Sequence, residues 1–233
     1  AAWKKVYEPL IRRAAGLGRA PEKPDSDRYT QVYAHCDVLV VGAGPAGLAA
    51  ALAASATGAR VFLCDEQAEM GGSLLSETAA MIDGLLAADW TTKALADLAA
   101  RANVKLMPRT TAFGWYPHNF LGLCERITDH LASADPKLPR ERLWQVRAKE
   151  VVLATGALER PLVFPDNDRP GIMMAEAARI YANRFGVKLG NTAVIFTACD
   201  SAYRAALDLK AAGVAVAAIA DLRAVPGCLW VDR

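Results

Sequence analysis

Three glycines in the segment Gly42-Ala-Gly44-Pro-Ala-Gly47 have the spacing of a loop that binds the diphosphate of a dinucleotide. In such a loop the first glycine permits a tight turn and the second lets the backbone approach the phosphates. The third lets the next helix pack closely on the preceding strand. The helix also presents free N–H groups and a partial positive charge to the phosphates. The segment therefore predicts a site for NAD or FAD.

An acidic residue is expected at the end of the next strand, where its carboxylate would bind a ribose hydroxyl. Asp65 stands 18 positions after Gly47 and is followed by Glu66 and Gln67. A carboxylate at this place would repel the 2′-phosphate of NADP, so the sequence favours NAD or FAD.

Two further glycine motifs follow in the order expected of a flavoprotein-like fold. Gly71-Gly72-Ser73 would bring backbone to the diphosphate and ribose from the opposite side, although such a loop is common by itself. Ala154-Thr155-Gly156 stands where the chain should return beside the cofactor. The predicted cofactor-binding residues are Gly42, Gly44, Pro45, Ala46, Gly47, Asp65, Glu66, Gln67, Gly72, Ser73, Thr155 and Gly156.

The elements that must position these residues alternate between strand and helix. An uninterrupted apolar strand at 37–41, an alanine-rich helix at 45–56 and a strand at 60–64 frame the glycine loop. The remaining pattern predicts helices at 3–17, 89–101, 174–184 and 201–212, and strands at 104–107, 111–115, 120–124, 143–146, 151–155, 192–197 and 214–220.

This alternation predicts an α/β fold with a Rossmann-like doubly wound parallel sheet, of the FAD/NAD(P)-binding type with two dinucleotide domains. A small antiparallel β insertion interrupts it. We expect an N-terminal helix and connector at 1–34 and a first βαβ unit at 35–110. The β insertion follows at 111–150, and the return strand with a second, incomplete βαβ unit at 151–233.

The second βαβ unit lacks the glycines of the first. Its loop reads Thr197-Ala-Cys199-Asp-Ser-Ala202, and Asp200 would place a negative charge where phosphates should lie. We therefore predict that the chain binds one dinucleotide and that the second unit retains the fold without the binding.

Composition and charge exclude several other classes of protein. The net charge of +2 and the absence of a dense Lys/Arg run argue against nucleic acid as a partner. No signal peptide is visible. The uncharged stretch 38–56 contains glycines and a proline, so a buried strand and helix explain it better than a membrane span. We expect a cytoplasmic protein without a membrane partner. The first residue is not methionine, which fits a part of a longer protein or a trimmed chain.

The reactive side chains form no recognisable catalytic or metal-binding group. The five cysteines are scattered without a C-x-x-C pair, which argues for a reducing compartment and against an iron–sulfur cluster, a zinc site or a redox-active disulfide. His35, His118 and His130 are isolated in sequence. We therefore predict no catalytic residue and no metal ligand in this chain.

Seven segments together resemble a known family. They include Asp65-Glu-Gln-Ala-Glu-Met-Gly-Gly-Ser-Leu-Leu75 and Ala154-Thr-Gly-Ala-Leu-Glu-Arg-Pro161, with residues 7–18, 35–47, 108–111, 167–171 and 200–204. In this order they resemble the large (alpha) subunit of bacterial heterotetrameric sarcosine oxidase, over essentially the whole chain.

The resemblance implies a role within a larger complex. Alpha subunits of this family are much longer, with a small ferredoxin-like region before this part and a folate-binding domain after it. With beta, gamma and delta subunits they oxidise sarcosine to glycine, reducing O2 to H2O2. The reaction uses FAD in the beta subunit and FMN at the alpha–beta interface, and it yields formaldehyde or methylene-tetrahydrofolate. The alpha subunit holds NAD, so this chain is expected to bind NAD at the residues given above and to be inactive alone.

Two alternatives remain open from the residues. The chain could be the FAD-bearing subunit of a related amino-acid or N-methylglutamate dehydrogenase, because NAD and FAD sites share the glycines and the acid. It could also be a non-catalytic interaction scaffold, although the intact glycines and Asp65 count against that. Bound FAD would make the protein yellow.

Overall fold

A six-stranded sheet forms the centre of the computed structural model, which describes residues 2–17 and 23–224. The strands within these residues, six of which belong to the central sheet, are β1 (Tyr29–Val41), β2 (Val61–Cys64), β3 (Met81–Ile82), β4 (Leu85–Leu86), β5 (Val104–Met107), β6 (Thr110–Tyr116), β7 (Phe120–Arg126), β8 (Glu141–Leu153), β9 (Thr192–Thr197) and β10 (Ala215–Asp221). The helices are α1 (Glu8–Ala14), α2 (Pro45–Ala56), α3 (Ala87–Ala99), α4 (Ala175–Phe185) and α5 (Ser201–Ala211), with a π-helical segment at Trp3–Tyr7 and a 3-10 helix at Gly72–Ser76.

The order of the central sheet is β5-β2-β1-β8-β7-β6. The pairs β5–β2, β2–β1 and β1–β8 are parallel, whereas the pairs β8–β7 and β7–β6 are antiparallel. Helices α2 and α3 connect the parallel strands in the right order for a βαβ fold. The predicted fold, a Rossmann-like parallel sheet with a small antiparallel insertion, is confirmed.

Two long strands differ from the sequence prediction. β1 begins at Tyr29, inside the expected connector, and β8 is one strand where two were predicted. The two strands pair with each other from Tyr29 opposite Glu141 to Val41 opposite Leu153. Because this ladder pairs the backbone N–H and C=O groups of both strands, polar side chains do not interrupt either strand. The expected domain boundaries after residues 34 and 150 fall inside these strands.

Alternate residues of β2 belong to two separate cores. Val61 and Leu63 face α2 and α3, in a cluster that includes the fully buried Leu48 and Leu98. Phe62 and Cys64 point the other way, into a cluster with residues of β7 and β8 such as Trp144. The parallel strands are thus covered on both faces, which accounts for their continuous apolar sequences.

The second unit consists of the parallel pair β9–β10 and the helices α4 and α5. Ile195, Ala202 and Ala206 form one of its small apolar clusters, and Ala178 and Leu209 belong to another. The predicted elements of this unit are confirmed to within one residue at each end.

The N-terminal segment departs from the prediction of one helix at 3–17. A π-helical segment precedes α1, and α1 ends at Ala14. Its apolar residues are largely exposed, with Leu10 at 62% and Ile11 at 55%. Among residues 2–17 and 23–224, no helix combines the length and the apolar character that crossing a bilayer requires.

Candidate dinucleotide site

The predicted phosphate loop lies at the carboxyl ends of the parallel strands. Gly42 and Ala43 leave β1, and their loop leads directly into α2. The N–H of Gly42 donates to the carbonyl of Cys64 at 2.8 Å, and the N–H of Ala154 donates to the carbonyl of Val41 at 2.8 Å. The loop is therefore held by both neighbouring strands, at the edge where nucleotides bind in parallel sheets.

Gly42 and Gly47 are glycines because the protein itself leaves no room for a side chain. Gly42 has φ +99°, and a Cβ on it would stand 2.3 Å from the carbonyl oxygen of Ala154. A Cβ on Gly47 would stand 1.8 Å from the carbonyl oxygen of Gly42. The roles predicted for these two glycines, a tight turn and a close approach of helix to strand, agree with this geometry.

Gly44 differs, because nothing in the protein requires a glycine there. Its φ of −73° is open to any residue, and the nearest atom to an added Cβ is the Cα of Gly72, at 4.0 Å. Gly72 itself has φ +56°, and a Cβ on it would lie 2.7 Å from the Cα of Gly44. The two glycine backbones thus form a cradle without side chains, which we call the Gly44–Gly72 cradle.

The N-terminus of α2 opens beside this cradle with unsatisfied donors. Gly44 is the N-cap residue, Pro45 is the first helical residue, and no side chain caps the helix. The N–H groups of Ala46 and Gly47 consequently lack partners within the helix, and Pro45 and Ala46 are exposed. Free N–H groups, a helix dipole and a cradle that a Cβ would fill fit the diphosphate of a dinucleotide.

Asp65 has a structural task in addition to the predicted one. Its carboxylate accepts the N–H of Ala43 at 2.7 Å and the N–H of Gln67 at 2.8 Å, so it fixes the phosphate loop to the end of β2. Glu66 and Gln67 are exposed beside it. Binding of a ribose hydroxyl by Asp65 stays a prediction.

The remaining predicted residues border the loop on two sides. Thr155 lies against Gly42, since its Cα is 3.2 Å from the position of a Cβ there. Gly156 has φ +71° and faces open space, and Ser73 is exposed in the 3-10 helix that starts at Gly72. The structure therefore brings the motifs around residues 42–47, 65, 72 and 155 together.

Two arginines near the end of β2 were not found from the sequence. Arg126 donates through Nη2 to the carbonyl of Glu66 at 2.5 Å, and the backbone N–H of Arg109 donates to the carbonyl of Gln67 at 2.9 Å. The Nε atoms of both arginines are buried without a hydrogen-bond partner. Arg109 follows the parallel strand β5 and Arg126 ends the antiparallel strand β7, so both are distant in sequence from β2 and no local spacing could have indicated them.

The second unit carries a carboxylate where the first has its phosphate loop. Asp200 is the N-cap residue of α5 and forms an ion pair with Arg223 at 2.6 Å. A carboxylate at a helix N-terminus competes for the same positive potential as a phosphate. The geometry agrees with the prediction that this unit does not bind a nucleotide.

The cysteine thiols of the described residues differ in acidity. Burial raises the pKa of the Cys36 thiol to about 11 and that of the Cys64 thiol to about 12. A hydrogen bond from Ser201 lowers the pKa of Cys199 from its ordinary value. The four cysteines within the described ranges, including Cys124, are free. In the same ranges no three His, Cys, Asp or Glu side chains are grouped to hold a metal ion.

Comparisons with known proteins agree with this geometry. A model of the family "FAD dependent oxidoreductase" matches residues 37–150. The crystal structure of L-proline dehydrogenase from P. horikoshii has a TM-score of 0.66 at 23% identity, covering 90% of this chain and 40% of that one. This likeness shows a shared fold.

Three relatives that are 48–55% identical in sequence carry one name. The sarcosine oxidase subunit alpha of Rhizobium meliloti (strain 1021) is 55% identical over 225 residues, which are 97% of this chain and 23% of the relative. That of Corynebacterium sp. (strain P-1) is 50% identical over 205 residues, 88% of this chain and 21% of the relative. The chain thus spans less than a quarter of these relatives. By sequence it belongs with the alpha subunits of sarcosine oxidase, and its residues 37–150 match the model of the FAD-dependent oxidoreductases.

Proposed function

We propose that this chain holds one dinucleotide, NAD, within the alpha subunit of a sarcosine oxidase complex. The Gly44–Gly72 cradle carries this proposal, because it lies beside the uncapped N-terminus of α2 and Gly44 is not needed by the protein's own packing. The diphosphate would lie against the two glycines and accept the N–H groups of Ala46 and Gly47.

The other predicted residues would hold the sugar and border the site. Asp65 would accept a ribose hydroxyl with the lone pairs that Ala43 and Gln67 leave free, since a carboxylate has about four acceptor positions. Glu66 is exposed next to it, while Ser73, Thr155 and Gly156 would border the diphosphate. The carboxylate supports a nucleotide without a 2′-phosphate.

A second candidate is FAD in the same site, in a subunit of a related amino-acid or N-methylglutamate dehydrogenase. The match to FAD-dependent oxidoreductases favours this candidate. Either dinucleotide would supply an electron-accepting ring, and the glycine loop serves both equally. An interaction scaffold without a ligand is disfavoured, because it leaves the open cradle without a purpose.

The reaction of the whole complex is part of the proposal. Sarcosine would be demethylated oxidatively to glycine with O2, giving H2O2 and formaldehyde or methylene-tetrahydrofolate. Beta, gamma and delta subunits would complete the complex, with FAD, FMN and tetrahydrofolate bound elsewhere than in the Gly44–Gly72 cradle. The chain's own contribution would be to hold the dinucleotide and to join the assembly.

The test is to denature the purified protein and to identify the released nucleotide by chromatography and mass. One NAD per chain supports the proposal, one FAD supports the second candidate, and two equivalents contradict a single site. Gly44→Val should abolish retention. Gly190→Val is its matched control and should leave retention unchanged. A Cβ added at Gly190 would also have its nearest atom, the carbonyl oxygen of Thr192, at 4.0 Å. A wild-type protein that releases no nucleotide refutes both candidates.

A further inference from the structure

The 3-10 helix Gly72–Ser76 starts in the cradle and ends in the second unit. Its first residue packs on Gly44, as described above. At its other end the carbonyl of Ser76 accepts Nη2 of Arg179 at 3.2 Å and Nδ2 of Asn183 at 2.9 Å. One wall of the cradle is therefore attached to helix α4.

Glu77, the next residue, strengthens this attachment. Its carboxylate is 8% exposed and forms ion pairs with Arg179 of α4 at 2.9 Å and with Arg204 of α5 at 3.0 Å. Because the side chain is shielded from water, these pairs are screened less than surface pairs. Both helices of the second unit thus hold the segment that follows the 3-10 helix.

Arg179 is the centre of this network. Its side chain is 1% exposed, and every guanidinium nitrogen has a partner. Nε donates to Asp208 at 2.5 Å, Nη1 to Glu176 at 3.0 Å, and Nη2 to Ser76 and Glu77. A buried cation is costly unless it is fully paired, and such networks fix one geometry more than they add net stability.

We propose that Arg179 is a positioning residue for the dinucleotide site. Through Ser76 and Glu77 it holds the 3-10 helix so that Gly72 stays against Gly44, although Arg179 itself lies outside the cradle. The second unit, which has lost its own phosphate loop, thereby acts as the support of the first. This inference rests on the proposed function, because the cradle matters only if a dinucleotide binds there.

The test compares nucleotide dissociation rates in variants of the purified protein in its native assembly. Glu77→Gln removes the negative charge that pairs with Arg179 after the 3-10 helix, and it leaves Arg179 paired with Asp208 and Glu176. Arg179→Lys keeps the charge but cannot contact Ser76, Glu77 and Asp208 together. Substitution of a residue that supports a site without touching the ligand changes the coupling energy by about 0.5–2 kcal/mol. This corresponds to a dissociation rate raised between about twofold and thirtyfold. We expect this range for both variants.

The control is Arg184→Gln on the same helix. Arg184 pairs with Glu69, whose side chain is 69% exposed, so its removal should leave the rate unchanged. Unfolding of the nucleotide-free protein is measured in parallel. A loss of stability in both Glu77→Gln and Arg179→Lys with an unchanged dissociation rate would assign the network to packing alone and overturn the inference. That outcome leaves the proposed function intact, whereas a wild-type protein without nucleotide removes the function itself.

Discussion

Replacing Gly44 with alanine should release the nucleotide without harming the fold. The backbone there has φ −73° and ψ −173°, which alanine adopts freely, and the new methyl group would meet only the Cα of Gly72 at 4.0 Å. Alanine also restricts the unfolded chain. The nucleotide-free protein should therefore keep its free energy of unfolding or gain about 0.4–1 kcal/mol.

Binding should respond in the opposite direction. The methyl group would occupy the space through which the diphosphate reaches the free N–H groups at the start of α2. Loss of one hydrogen bond to a charged group costs about 1.5–3 kcal/mol, which corresponds to a dissociation constant raised about 10-fold to 150-fold. The branched side chain of Gly44→Val should remove retention altogether.

Two further alanine variants make the comparison decisive. Gly47→Ala places its Cβ 1.8 Å from the carbonyl oxygen of Gly42, so it should destabilise the nucleotide-free protein by about 1–3 kcal/mol or more. Gly190→Ala has the same free space as Gly44→Ala but lies far along the chain. It should leave nucleotide binding unchanged and should keep or slightly raise the free energy of unfolding, as Gly44→Ala does.

Urea unfolding of nucleotide-free protein gives the stability, and nucleotide released on denaturation gives the occupancy. Full occupancy of Gly44→Ala would refute the assignment of the cradle. A loss of stability in Gly44→Ala as large as that in Gly47→Ala would refute the claim that its glycine serves the ligand alone.

In Asp65→Asn the single amide oxygen can accept only one of the two backbone N–H groups that the carboxylate binds. The free energy of unfolding should therefore fall by about 1–3 kcal/mol. Nucleotide retention should fall less than in Gly44→Val, and equal losses would contradict that ranking. Iodoacetamide should modify Cys199 before Cys36 and Cys64, because the pKa of its thiol is lowered and its side chain is exposed; peptide mass mapping that found Cys64 modified first would contradict this. Above the ordinary thiol pKa, the folded chain keeps protons on Cys36 and Cys64 up to pKa values of about 11 and about 12, whereas the unfolded chain releases them. The free energy of unfolding should therefore fall as pH rises from about 9 to 11, by at most about 1.4 kcal/mol per pH unit and thiol. Cys64→Ala should make this fall shallower, and an unchanged slope would show that the buried thiol does not contribute.

Elements with a strong local pattern were predicted well. The bounds of α2 (Pro45–Ala56) and β9 (Thr192–Thr197) are those expected from the sequence. The first part of β1 and the full length of β8 were not, because their polar sequences become strands only by pairing with each other across the chain. A pattern within ten residues carries no information about a partner more than a hundred residues away.

The same distinction applies to the site. The glycine spacing and the carboxylate at Asp65 are local signals and lead directly to the loop. The motif Ala154-Thr155-Gly156 indicated where the chain returns to the site. The close approach of the Ala154 carbonyl to Gly42 and the contact of Arg126 with Glu66, however, arise only when distant segments meet. Arg179 is hidden for another reason, since an arginine in an amphipathic helix is normally exposed.

The pairing of β1 with β8 also determines when the site can exist. Tyr29 lies opposite Glu141 and Val41 opposite Leu153, so each contact closes a long loop of chain and forms slowly. During synthesis the segment with Gly42 leaves the ribosome well before Ala154, which supports it. A dinucleotide bound at the proposed site would therefore enter a nearly completed sheet, so its capture would be a late event in folding.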